Sequence, residues 1–108
     1  MSVEDYINSN RRIAEAWEVV GIYELYLDGI SSKLDIEPKL KVKVLKMLSA
    51  DSPSYRGVPN LEVTGKGGAG PYRSSALKAT AEEALRDAVD SFFAFLSDEA
   101  EVQEVEDW

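Results

Sequence analysis

The stretch from residue 80 to residue 96, TAEEALRDAVDSFFAFL, most constrains how this chain folds. Thr80 followed by Glu83 is a capping box, in which the threonine oxygen accepts from the Glu83 amide and the glutamate bonds back. Apolar residues then recur with helical spacing. The pattern predicts a C-terminal helix. We expect its large apolar residues to contribute about 1.5–3 kcal/mol each to the core when fully buried; they are Phe92, Phe93, Phe95 and Leu96.

The N-terminal residues 2–28 have the spacing of a long amphipathic helix. Ser2 is a suitable N-cap, and Asp5 lies in the first turn, where the helix dipole favours an acid. Residues 22–36 could instead form a hairpin, because Asp28-Gly29 suits a type I′ turn. Apolar residues recur every seven positions, which favours the helix; one such line is Tyr6, Ile13, Val20 and Leu27.

Residues 39–48, KLKVKVLKML, fit both a strand and a helix. Lysines at 39, 41 and 43 alternate with apolar residues, which is typical of a half-buried strand. A helix with Pro38 in its first turn would also gather the apolar residues on one side. The β-branched valines and the strict alternation favour the strand. A second short strand is predicted over residues 58–64, before a run of glycines.

This order of elements predicts an α+β domain with a long N-terminal helix, a small antiparallel sheet and a C-terminal helix. The alternative is a mostly α fold in which residues 36–50 are helical. A chain of 108 residues fits one domain, which we place at residues 1–97. Residues 98–108 carry six acids in eleven positions and are predicted to be a flexible acidic tail.

The chain contains neither cysteine nor histidine. The composition therefore excludes disulfides, thiolate metal sites and the common Ser-His-Asp triad, and it removes the usual general base. We expect no enzymatic activity, no metal and no cofactor. No apolar run is long enough to span a membrane, and the first residues lack the features of a secretory signal. The sequence thus predicts a cytoplasmic protein without a membrane partner.

Charge is distributed unevenly around a net value of −8. Residues 33–78 hold nine basic and four acidic side chains, whereas residues 79–108 hold one basic and ten acidic ones. A dense acidic array can imitate a nucleic-acid backbone and occupy a basic groove on another protein, and a terminal tryptophan can anchor it. The candidate partner-binding residues are Asp87, Asp90, Asp98, Glu99, Glu101, Glu104, Glu106, Asp107 and Trp108.

Residues 65–75, GKGGAGPYRSS, lie within the basic region. Glycines let main-chain amides approach an anion, and a following helix start adds a positive dipole. The spacing matches neither a Walker loop nor a dinucleotide fingerprint, and a flexible connector is the simpler interpretation. If the region binds phosphate, the candidate residues are Lys41, Lys43, Lys66, Gly67, Gly68, Arg73, Ser74, Ser75 and Lys78.

The leading hypothesis is a non-enzymatic acidic protein-interaction module that binds or inhibits a basic partner protein, as antitoxins and inhibitors of nucleic-acid enzymes do. The alternative is a nucleic-acid or phosphate-binding domain that uses the lysine-rich middle and the Gly-rich loop. A structural subunit of a larger assembly is a third interpretation. Two strands alone are marginally stable, so the sequence also leaves open a homo-oligomer that extends the sheet.

Overall fold

The computed structural model describes residues 2–26, 39–48, 52–64, 76–96, 101–106 and 108. Two helices and five strands make up this part of the chain, and every strand pairing is antiparallel. The α+β class is therefore confirmed. In chain order the elements are α1 (Val3–Ser9), β1 (Trp17–Tyr26), β2 (Lys39–Met47), β3 (Tyr55–Pro59), β4 (Leu61–Thr64), α2 (Ala81–Phe95) and β5 (Glu101–Glu104).

The predicted long N-terminal helix is wrong. Ser2 does cap a helix, with a capping box to Asp5, but α1 has only seven residues. Residues 17–26, WEVVGIYELY, form β1 instead, which suits their β-branched and aromatic side chains. The sequence did not predict this strand, because β1 carries apolar residues on both faces and does not alternate between apolar and polar residues. The turn of the alternative hairpin, Asp28-Gly29, lies outside the described residues.

The strand prediction for residues 39–48 is confirmed by β2, and the helical alternative for this stretch is wrong. Leu40, Val42 and Val44 are fully buried, whereas the lysines between them are half-buried on the other face. β2 is the central strand of a sheet with the order β1-β2-β3. We call the face with the buried residues the helix side. The opposite face, which carries Lys39, Lys41 and Lys43, is called the lysine face.

The single strand predicted at 58–64 is divided into β3 and β4 by Asn60. The Asn60 amide donates to the carbonyl of Lys41 at 2.9 Å, and its Oδ1 accepts from the Lys41 amide at 2.8 Å. The Asn60 carbonyl accepts from the amide of Val105 at 2.8 Å. The chain consequently leaves the three-stranded sheet at Asn60 and enters a second sheet, in which β4 pairs with β5.

Helix α2 begins as predicted, since Thr80 Oγ1 accepts from the Glu83 amide at 3.1 Å. Its buried residues, Ala84, Ala88 and Phe92, recur every four positions and belong to the core that includes β2 and β4. Phe93 and Phe95 remain 43% exposed, so the prediction that both lie in the core is wrong. Within the described ranges, no helix is long and apolar enough to cross a membrane.

Helix α2 crosses β3 at Gly57, where there is no room for a side chain. A Cβ atom at this position would lie 2.5 Å from the carbonyl oxygen of Ala84 and 2.8 Å from Cβ of Ala88. Small residues on both elements therefore set the distance between the helix and the sheet. This contact therefore fixes the position of the α2 main chain that carries the acidic side chains.

Candidate interaction surfaces

The lysine face combines cations with aromatic rings. The register places Tyr26 opposite Lys39 and Glu24 opposite Lys41. Glu24 lies 3.6 Å from Lys39 Nζ and 3.8 Å from Lys41 Nζ, and Lys39 Nζ also lies 5.6 Å from the Tyr26 ring centroid. The half-exposed carboxylate of Glu24 thus forms ion pairs with two lysines. Such surface pairs contribute only about 0–1 kcal/mol each.

Trp108 lies on the lysine face. Its indole N–H donates to the carbonyl of Val58 at 2.7 Å, Lys43 Nζ stands 4.5 Å from its ring centroid, and Lys43 also donates to its main-chain oxygen. Trp108 was predicted to lie in a flexible tail and to anchor it in a partner's pocket. In the structure it anchors on its own sheet. The sequence contains no signal for this contact, because Lys43 and Trp108 are 65 positions apart.

A second tryptophan on the lysine face was missed in the sequence analysis. The Arg56 guanidinium lies 4.6 Å from the ring centroid of Trp17. The two residues belong to the outer strands β3 and β1, and Leu45 on β2 lies opposite Arg56. Arg56 Nε is buried and has no hydrogen-bond partner among the described residues. Cation–ring contacts therefore occur at three places on this face.

Only three of the nine candidate phosphate-binding residues lie within the described part of the chain. Lys41 and Lys43 lie on the lysine face, whereas Lys78 joins the main chain of Tyr55 through two hydrogen bonds of 2.8 Å and extends its ammonium to within 3.8 Å of Asp87 on α2. The structure does not bring Lys78 together with the other two lysines. The remaining candidates lie outside the described residues; they are Lys66, Gly67, Gly68, Arg73, Ser74 and Ser75.

The outer side of α2 carries an acidic cavity of about 280 Å³. Three acids and two bases line it, which gives the lining a surplus of one negative charge. Lys78 forms the ion pair with Asp87, and Arg86 pairs with Glu82 at 3.0 Å, one turn earlier on the helix. The helix exposes Glu83 and Asp90 to solvent. The lining residues are Lys78, Glu83, Arg86, Asp87 and Asp90.

Among the described residues, the acidic side chains of β5 do not lie on one face of the strand. In the β4–β5 pairing, Glu104 lies opposite the buried Leu61, whereas Glu101 lies opposite Thr64 on the other face of the ladder. Residues 101–104, predicted to be part of a flexible tail, are a paired strand, because Val102 packs on the core. Glu101, Glu104 and Glu106 are exposed. Asp98, Glu99 and Asp107 lie outside the described residues.

Strand β1 exposes an unusual amount of apolar surface for a strand in a small domain. Its exposed fractions are 51% for Val19, 40% for Val20, 57% for Ile22, 43% for Tyr23 and 73% for Tyr26. These side chains are divided between the two faces of the sheet, because Ile22 and Tyr26 lie opposite lysines whereas Tyr23 lies opposite the buried Val42. Several large apolar side chains exposed on one strand make that strand a candidate interaction site. This apolar strand was not recognised as a surface in the sequence analysis, because a helix was predicted there.

Comparisons with known proteins identify no relatives. No protein-family model matches the sequence, and no curated protein or solved structure is significantly similar to it. Among the described residues, no three His, Cys, Asp or Glu side chains are grouped so that they could hold a metal ion. The surfaces described above are therefore the basis for proposing a function.

Proposed function

We propose that this chain is a non-enzymatic protein-interaction module that binds a basic partner protein through the outer side of α2. The observation that carries the proposal is the cavity on this helix, because Glu83, Asp87 and Asp90 line a space of about 280 Å³ whose lining has a surplus of one negative charge. The ion pair between Lys78 and Asp87 is long at 3.8 Å. A lysine or arginine from the partner enters the cavity and adds a cation to a lining that has an acidic surplus.

The distribution of the cations supports a partner with a positively charged surface. Lys39, Lys41 and Lys46 each lie within 4 Å of a carboxylate from their own chain, and Lys43 contacts Trp108. The exposed acids of α2 and β5 then dominate the field around a chain of net charge −8. Such a field steers a basic protein toward the module and raises the association rate at low salt. A module that occupies a basic groove in this way prevents the usual ligand of that groove from binding.

The experiment first identifies the partner and then localises its binding. Proteins captured from the native lysate at low salt are purified and titrated calorimetrically against the full chain. The double variant Glu83→Lys and Asp90→Lys should weaken binding by about tenfold or more, which corresponds to about 1.4 kcal/mol. Glu101→Lys is the matched control for a single charge reversal, because it is exposed but faces away from the helix side of its ladder.

Two results would contradict the proposal. The first is a double variant that keeps the wild-type affinity. The second is a Glu101→Lys control that loses as much affinity as the single variant Asp90→Lys, since binding would then depend on net charge rather than on the surface of α2. Thermal unfolding of each variant checks that the fold is retained.

A second candidate function is nucleic-acid binding by the lysine face. The observation in its favour is the set of cation–ring contacts there, because sequence-independent binding of single strands combines stacking rings with a basic groove. Binding of a fluorescent oligothymidine at low salt, measured by anisotropy, tests it. Lys41→Glu with Lys43→Glu should abolish that binding and leave the basic-partner affinity nearly unchanged. Absence of binding by the wild-type chain excludes this candidate.

A further inference from the structure

The outer edge of β1 is a long strand edge that has no partner among the described residues. β1 is ten residues long and, in the described part of the chain, pairs only with β2. A free edge presents unpaired main-chain amides and carbonyls that another strand can bind, and proteins usually protect such edges with lysine, proline or bulges. The sequence WEVVGIYELY contains neither lysine nor proline. Its protective features are a register shift between Val19 and Gly21 and two acidic residues, Glu18 and Glu24.

We propose that β1 pairs with β1 of a second copy of this chain, as antiparallel strands related by a two-fold axis. Cyclic dimers are the commonest oligomers, and their interface must be complementary to itself. The pairing satisfies the outward main-chain groups of residues 21–25 in both copies and joins two three-stranded sheets into one. This part of β1 offers Ile22, Tyr23 and Tyr26 to the second copy, and their exposed fractions are 57%, 43% and 73%. Covering these side chains removes apolar surface from water and stabilises the pair.

The residues of β1 select one register. When Tyr23 lies opposite Tyr23 of the second copy, Ile22 lies opposite Glu24 and Gly21 lies opposite Leu25. This register uses only the regular half of β1, beyond the bulge at Val20. Centring the axis on Glu24 would place two carboxylates directly opposite each other, which destabilises a pair of strands. Pairing through Tyr23 avoids that repulsion.

Charge also decides between edge pairing and a face-to-face dimer. A sandwich of two lysine faces would oppose the rows Lys39, Lys41 and Lys43 of the two copies, whereas edge pairing keeps the rows side by side. Each copy still has a net charge of −8, so long-range repulsion opposes the dimer, and salt screens that repulsion. Dimerisation through β1 should strengthen with added salt. Binding of a basic partner should weaken, so the two proposals can fail independently.

Sedimentation velocity of the full chain, at micromolar and submillimolar concentrations and at low and high salt, provides the test. We expect a monomer–dimer equilibrium whose dimer fraction rises with salt. Hydrogen exchange of the amides from Gly21 to Leu25 should slow as the protein concentration rises, while exchange in α2 stays constant. A chain that is monomeric at all these concentrations would overturn the proposal.

Two lysine substitutions on exposed residues of β1 test the register. Tyr23→Lys places two ammonium groups opposite each other at the axis and should raise the dimer Kd by about tenfold or more. Val19→Lys replaces a side chain that is at least as exposed, at 51% against 43%. Val19 lies beyond the bulge and outside the paired segment, so the Kd should change by no more than about threefold. Equal weakening by both variants would overturn the strand-pairing geometry. Circular dichroism confirms that each variant is folded.

Discussion

The substitution Gly57→Ala tests the packing that positions the acidic helix. The new Cβ would lie 2.5 Å from the Ala84 carbonyl oxygen and 2.8 Å from Ala88 Cβ. Non-bonded carbon atoms pack best at about 3.5–4.0 Å, so α2 must move outward by about 1 Å. That movement opens the contacts of the helix with β2 and β4.

The expected loss in the free energy of unfolding follows from measured effects of overpacking. Adding one carbon to a tightly packed core costs about 1–3 kcal/mol, whereas replacing glycine restricts the unfolded chain and returns about 0.4–1 kcal/mol. We expect a net loss of about 1–2 kcal/mol in the free energy of unfolding. For a domain of this size, that loss lowers Tm by roughly 4–16 °C.

Urea denaturation followed by circular dichroism measures the loss, and Gly21→Ala is the matched control. The nearest atoms to a Cβ at Gly21 belong to the side chain of Tyr23, at 2.9 Å. This ring is the end of a rotatable side chain that is 43% exposed, so the stability should change by less than about 1 kcal/mol. The reasoning is refuted if Gly57→Ala is as stable as the wild type, or if the control loses as much.

Three further substitutions test single contacts, each by its urea-unfolding free energy. Thr80→Ala removes the cap of α2 and should cost about 1 kcal/mol, whereas Thr80→Ser should keep most of it. Asn60→Ala leaves the part-buried amide of Lys41 without its side-chain acceptor and should cost about 1–3 kcal/mol. Trp108→Ala removes an indole hydrogen bond and the ring beneath Lys43, with an expected loss of about 1–2 kcal/mol. A stability equal to that of the wild type would contradict the corresponding contact.

The elements that were predicted correctly have strong local signals. The Thr80 cap and the helical spacing after it define α2, and the alternation of lysine with valine defines β2. Both patterns occur because one face of each element is buried and the other is not. Local chemistry therefore sufficed for these two elements, although it did not locate the boundary between β3 and β4, where burial also alternates.

The N-terminal prediction failed because burial in β1 is not one-sided. The strand lies at the edge of the sheet and exposes apolar residues on both faces. The recurrence of apolar residues at every seventh position therefore favoured a helix, despite the strand propensities of Val19, Val20 and Ile22. The strand is specified by its pairing with β2, and such pairing cannot be read from local spacing. Asn60 illustrates the same limit, because its three main-chain and side-chain bonds join segments that are distant in sequence.

The candidate surfaces were predicted by charge type but not by position. The sequence identified the acids and the lysines, yet Glu101 and Glu104, three positions apart, lie on opposite faces because β5 is a strand. Trp108 contacts Lys43 of its own sheet. In the described part of the chain, acids that are close in sequence lie on one side of α2, where helical spacing places Asp87 and Asp90 on neighbouring positions.

The most direct test of the proposed function maps the bound partner on the surface by NMR. Amide chemical shifts of the full chain are followed while the captured basic protein, or its basic segment, is titrated in at low salt. The account predicts that the largest changes cluster around Lys78, Glu83 and Asp90 and decline as salt is added. Changes confined to β5 or to the lysine face, with α2 unaffected, would contradict it.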